Sequence, residues 1–172
     1  MSDIRATILA AAEGQIRASG YDGFSFREIA KVVGIKSSSV HYYFPTKADL
    51  GVAVARQYCD RFIASLPEAP KDRTKALADA FAYAMRVDAK VCLCGVLGSV
   101  QSSLPQSVGA EAKRFFELTM KYLIGPKPAK RAEREWAFQV VAQLEGGMIV
   151  ALALGDTAAF EALVRSLPSR PG

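Results

Sequence analysis

Apolar residues return every three or four positions along almost the whole chain, and the alternation that builds strands is scarce. Ile4, Ile8, Ala12 and Ile16, with Ala11, form one such stripe. It predicts a first helix over about 3–19, stopped by Gly20. Ser25-x-x-Glu28 has capping-box spacing ahead of Ile29, Ala30 and Val33, so a second helix is expected from near Phe26 to Gly34. Lys36 or Ser37 opens a short third helix that Pro45 must end, because proline lacks an N–H and disfavours helix before it. Thr46-x-x-Asp49 repeats the capping spacing and starts a long fourth helix through Leu50, Val54, Tyr58 and Phe62. Further helices are expected from Asp72 to about Ala89 and from Ser107 to Ile124, with a shorter apolar segment at 91–102 between them. Another is expected from Arg131 to Leu154, and a last one after Gly155-Asp156-Thr157 to about Leu167. The tail from Ser169 is expected to fray. The fold class that follows is all-α.

Composition narrows the setting. A chain of 172 residues is one domain, or one with a small module attached. With 51% hydrophobic residues it can bury a core, which excludes wholesale disorder. No uninterrupted apolar run reaches the roughly 18 residues that span a bilayer. The opening Met1-Ser2-Asp3-Ile4-Arg5 lacks the layout of a signal peptide. No membrane partner and a cytoplasmic location are therefore expected. Three cysteines, two of them nearly adjacent, do not make a disulfide framework. The net charge of +5 is compatible with an anionic partner.

Residues 27–47 carry the sharpest signal. Two short helices joined by a glycine-containing turn match a helix-turn-helix, whose second helix enters the major groove of DNA. Three serines and two tyrosines on that helix are poor choices for helix stability alone. They suit a face that approaches phosphates and base edges through hydroxyls. Arg27, Lys31, Lys36 and Lys47 stand against Glu28 alone, which favours phosphate binding with steep salt dependence. The competing reading is a polar helical corner, with serines capping the helix and tyrosines half buried.

The segment resembles the TetR family of one-component transcriptional regulators. The residues that carry the resemblance are Gly20, Phe24, Ile29-Ala30, Val33-Gly34-Ile35, Val40, Tyr43-Phe44-Pro45, Lys47 and Leu50, within about the first 55 residues. The resemblance implies an N-terminal three-helix DNA-binding module over 1–46. A long helix joins it to an effector-binding and dimerisation body over 47–172. It places Lys36, Ser37, Ser38 and Ser39 at groove-entry positions and Tyr42 at a variable base-reading position. Lys47 falls where a phosphate is held. His41, the only histidine, stands where members usually have a tyrosine that touches phosphate. It can still donate a hydrogen bond, and a histidine there would make that contact pH-sensitive. A surface or capping role for His41 stays open. Tyr43 and Phe44 are expected in the core.

One helix-turn-helix reads too few bases to find a site, whereas two related by a dyad read a palindrome. A homodimer on a palindromic double-stranded operator is therefore expected. Its interface is assigned to the helix over 131–154 and the last helix. Gly146 and Gly147 inside a helix cost roughly 1 kcal/mol each relative to alanine, which close helix approach would offset. Phe138, Leu144, Ile149 and Leu152, with Phe160 and Leu163, are the apolar interface candidates. The same side chains could instead complete the subunit's own core.

The resemblance also implies an effector pocket among the body helices. Its apolar candidates are Tyr58, Phe62, Phe81, Met85 and Leu97, then Phe115, Phe116, Met120 and Trp136, although core packing explains most of these equally well. A small apolar effector is the default. Cys92-Leu93-Cys94 adds a second possibility, a thiol sensor for electrophiles. Lys90, Lys113 or Arg114 would lower a thiol pKa, and a helix starting at Cys92 would help. Small buried cysteines are the alternative. As a metal site Cys-x-Cys is weak even with Cys59, so no metal and no cofactor is expected. An enzyme is disfavoured, because no nucleophile-base set and no Glu-x-x-His pattern is present. An all-α adaptor that does not read DNA, or a helical enzyme, remains the alternative to a repressor.

Overall fold

The structure, a computed structural model, describes residues 3–171, and every regular element among them is helical. In chain order these are α1 (Ile4–Ser19), α2 (Phe26–Val33), α3 (Ser37–Tyr43), α4 (Lys47–Ser65), α5 (Arg73–Asp88) and α6 (Leu93–Ser99). A 3-10 turn (Gln101–Ser103) precedes α7 (Gln106–Ile124), α8 (Arg131–Leu154) and α9 (Thr157–Arg165). The boundaries lie where local chemistry puts them. The Ser25 hydroxyl accepts from the Glu28 N–H at the start of α2. Thr46 and Asp49 cap α4 reciprocally: the Thr46 N–H donates to the Asp49 carboxylate and the Asp49 N–H donates to the Thr46 hydroxyl. Ala89 ends α5 in the left-handed region at φ 47, a place usually held by glycine.

By packing, the chain divides into two compact units. One holds the chain up to Asp60 together with Leu93–Lys113. Its buried side chains include Ile8, Ile16, Phe24, Ile29, Val40 and Leu50. Each such side chain contributes roughly 1.5–3 kcal/mol through burial. In this unit α1 packs on α2 and on α6, and α2 packs on α3. Arg56 on α4 donates twice to Glu111 on α7, from Nε at 2.9 Å and from Nη2 at 2.5 Å. At Gly51, α4 passes close to its neighbours. A Cβ there would stand 2.8 Å from the Tyr21 ring and 3.1 Å from Val108.

The other unit holds Arg61–Cys92 and the chain from Arg114 onward. Here α9 packs against both α8 and α5. Leu77, Phe81, Trp136, Val140, Leu144 and Phe160 are buried. The expected fraying of the tail is not found over the described residues. The Trp136 Nε1–H donates to the Pro168 carbonyl at 2.8 Å, and the Arg170 guanidinium is bonded to the Glu133 carboxylate. Gly172 lies outside the described residues. Among the described residues one helix, α8, is long and apolar enough by length and composition to cross a membrane, although no uninterrupted apolar run of that length exists. Its buried face is spent on α5 and α9, and it carries Glu133, Arg134, Glu135 and Glu145.

Candidate nucleic-acid interface

The turn between α2 and α3 is set by Gly34, which adopts φ 75 and ψ 32, and its N–H donates to the Ala30 carbonyl. The Ile35 N–H reaches the same carbonyl at 3.0 Å. This left-handed stop is easy for glycine and strained for other residues. It frees the chain to start α3 three residues later. Val40 is fully buried beneath α3, and Phe44 closes its end.

Fixed in this way, α3 turns the other face outward. Lys36, Ser38 and His41 are exposed, and Tyr42 is 83% exposed. Ser37 and Ser39 are half-buried. Ser38, Ser39 and Tyr42 share a concavity of about 300 Å³ with Ile4, Ile35 and Tyr43. Tyr43, expected in the core beside Phe44, is instead exposed, its ring edge-on to Tyr42 with centroids 5.3 Å apart. The helix is short, and Val40 and Phe44 suffice to anchor it. His41 is exposed yet lies against Phe26, with ring centroids 4.5 Å apart. The exposed bases Arg27, Lys31 and Lys36 share the unit with this face.

Lys47 is not a free surface cation. Its ammonium donates to the Asp22 carbonyl at 3.3 Å and lies 4.6 Å from the Phe24 ring centroid and 5.0 Å from that of Tyr21. These contacts fix the start of α4 against the turn that follows α1. Sequence reasoning had no signal for that arrangement beyond the Phe24 and Lys47 pattern itself.

The other candidates separate. Of the nine expected pocket residues, Tyr58 and Leu97 belong to the first unit and the remainder to the second. Phe62 packs on Phe81 and Phe115, and Phe115 on Phe116, as one aromatic cluster. Met85 is buried and Met120 half-buried. Trp136 lines a separate cavity of about 570 Å³ near the tail. Among the interface candidates, Phe138 is 64% exposed and Ile149 is 48% exposed. Gly146 is also open, since a Cβ added there would have nothing within 4 Å. Leu144 and Phe160 are buried within the chain, so they complete the subunit's own core and are not free to meet a partner. A Cβ on Gly147 would meet Leu163 at 3.0 Å and Phe160 at 3.4 Å, so that glycine serves the α8–α9 contact inside the subunit. Leu152 and Leu163 are half-buried.

Cys59, Cys92 and Cys94 are all buried thiols. Among the described residues, no three His, Cys, Asp or Glu side chains gather as a metal-holding group. The structure sets the Cys92 thiol against an acid, Glu145. Burial, reinforced by the Cys92 thiol, pushes its carboxyl well above the ordinary 4.5. The sequence signal was available, since Glu145 falls on the buried Val141–Met148 face of α8.

Comparison with known proteins follows the same outline. A family model described as bacterial regulatory proteins of the tetR family matches residues 8–54. The HTH-type transcriptional regulator RutR of Escherichia coli K12 is 37% identical over 59 residues, which is 34% of this chain. The match spans 28% of the length of that curated relative. A crystal structure of a TetR transcriptional regulator from Legionella pneumophila superimposes with a TM-score of 0.87 at 32% identity, covering 97% of this chain and 96% of the other. A TetR-family regulator from Agrobacterium tumefaciens gives a TM-score of 0.83 at 28% identity, covering 95% and 94%.

Proposed function

The chain belongs to the TetR family of DNA-binding transcriptional regulators, and on that premise we propose that it is a homodimeric repressor, released from a palindromic operator by a small-molecule effector. The observation that carries the reading is the outward face of α3. Ser38, His41 and Tyr42 are exposed on a helix whose opposite side is anchored by Val40. That is the placement a recognition helix needs to enter a major groove. The proposed contacts are Lys36, Ser37, Ser38, Ser39, His41 and Tyr42, with Lys47 at the edge. The working location is the cytoplasm, where the operator is.

The dimer is supported by the uncovered stripe on α8. Phe138, Ala142, Gly146, Ile149 and Val150 recur at three- and four-residue spacing, and all are exposed in the single chain. A patch of this kind marks a protein interface. For release, a small effector is favoured over thiol modification. Reactive cysteines need access, and Cys92 and Cys94 are 2% and 0% exposed.

The test is a mobility shift on the DNA upstream of the chain's own gene. Specific binding that falls steeply with salt is expected. Ser38→Ala and Tyr42→Ala should alter site preference while the protein stays folded. If both variants keep the parent's preference, α3 is not the reading helix. N-ethylmaleimide decides the release route: discharge of the complex that the Cys92→Ser/Cys94→Ser variant resists would move the assignment to the thiols.

A further inference from the structure

The second unit holds a cavity of about 570 Å³, built by the segment before α5 and the first turn of α5, the end of α7, the start of α8, the end of α9 and the C-terminal tail. Its size lies within the range of small-molecule sites. Five basic side chains line it, Lys71, Arg73, Lys75, Arg165 and Arg170, against one acid, Asp72. Several of these charges are already used. Lys75 pairs with Asp79 at 2.6 Å and Arg170 is bonded to Glu133, while Asp72 caps α5 by accepting from the neutral Lys75 N–H and keeps its negative charge. Arg73 differs. Its guanidinium donates to the carbonyls of Tyr122 and Glu68 and lies 5.1 Å from the Tyr122 ring centroid. Those partners are neutral, so they hold the group in place without an ion pair. Lys71 and Arg165 add two more positive charges at the cavity wall.

The rest of the lining sets Thr74 and Ser169 beside an apolar strip. Leu123 and Trp136 are buried, and Val164 and Leu167 are half-buried. The Trp136 Nε1–H is already bonded to Pro168, so the ring offers the cavity only apolar surface. Basic groups beside apolar surface in one cavity suit a ligand with a charged end and a hydrocarbon body.

We infer that this cavity binds an amphipathic organic anion, its carboxylate at Lys71, Arg73 and Arg165 and its apolar body against Val164, Leu167 and the accessible edge of Trp136. A role as effector rests on the repressor reading above; binding itself does not, and the test contains no DNA. Trp136 is the single tryptophan of the chain, so its fluorescence reports on this site alone. Titration of the full chain with decanoate is expected to give a saturable change, and decanol none at equal concentration. The Lys71→Gln/Arg165→Gln variant, checked for unchanged helix content by circular dichroism, should bind decanoate roughly tenfold more weakly or worse, since two charge-assisted contacts are lost. Absence of a saturable signal with decanoate, an equal response to decanol, or undiminished binding by the double variant would each overturn the assignment.

Discussion

The Glu145 carboxyl is hydrogen-bonded to the Cys92 thiol in a buried setting, and its Oε1 has no partner. Burial, and then Cys92, hold the carboxyl in its protonated form well above the ordinary value of 4.5. The folded chain therefore keeps a proton that the unfolded chain releases. The stability this residue contributes is complete in acid and is lost as the pH rises from that ordinary value through the raised one. Glu145→Gln removes the titration and keeps the shape. The variant is expected to gain about 1–3 kcal/mol over the parent at neutral pH, and the difference should shrink to near zero at about pH 4. Paired thermal melts across that range check it. A difference independent of pH would mean that the carboxyl is ionised in the folded state.

Lys47 bonds to Asp22 and lies over two rings, so Lys47→Ala has two separable consequences. Loss of the ring contacts should lower stability by about 0.5–1 kcal/mol. If the ammonium also meets a phosphate, affinity should fall about uniformly across DNA sequences, and the salt slope should drop by about one. Binding measured at several salt concentrations distinguishes the cases. Weaker binding with an unchanged slope would assign Lys47 to holding α4 in place rather than to DNA.

The helical outline was readable because periodicity, caps and breakers agree locally. Ser25 with Glu28, Thr46 with Asp49, and Gly34 each mark a boundary that short-range chemistry decides. The face of α3 was readable for the same reason, since one buried residue, Val40, orients seven. Tyr43 escaped because a bulky aromatic reads as core wherever the helix is too short to show its period. Leu144 and Phe160 were ambiguous in principle, because a core and a subunit interface select the same apolar side chains. The basic cavity was invisible, because its residues are drawn together from segments that begin near Pro70 and end near Arg170.

Gly51 tests the close approach of α4. Alanine is the better helix former by roughly 1 kcal/mol in an open position. Here the added methyl would lie 2.8 Å from the Tyr21 ring, which is itself buried, and 3.1 Å from Val108. Overpacking of this kind costs about 1–3 kcal/mol and should outweigh the propensity gain. Gly51→Ala is therefore expected to melt below the parent. A higher melting temperature would show that the Tyr21 ring moves aside freely.

The stripe on α8 separates subunit stability from assembly. Ile149 and Phe138 are exposed in the single chain, so Ile149→Glu and Phe138→Glu should change the intrinsic stability of one subunit by no more than about 0.5 kcal/mol. In a dimer built on this face, a carboxylate would be desolvated without a partner, and association should fail. Gly146 refines the placement. A methyl there meets nothing within the subunit and should stabilise the helix by roughly 1 kcal/mol, yet it would push apart two copies of α8 that cross at this point. Sedimentation of the parent, Ile149→Glu and Gly146→Ala gives the answer directly. The parent should run as a dimer, Ile149→Glu as a monomer with a nearly parental far-ultraviolet spectrum, and Gly146→Ala as a weaker dimer. A parent that is monomeric at micromolar concentration, or an Ile149→Glu variant that remains dimeric, would remove α8 from the interface.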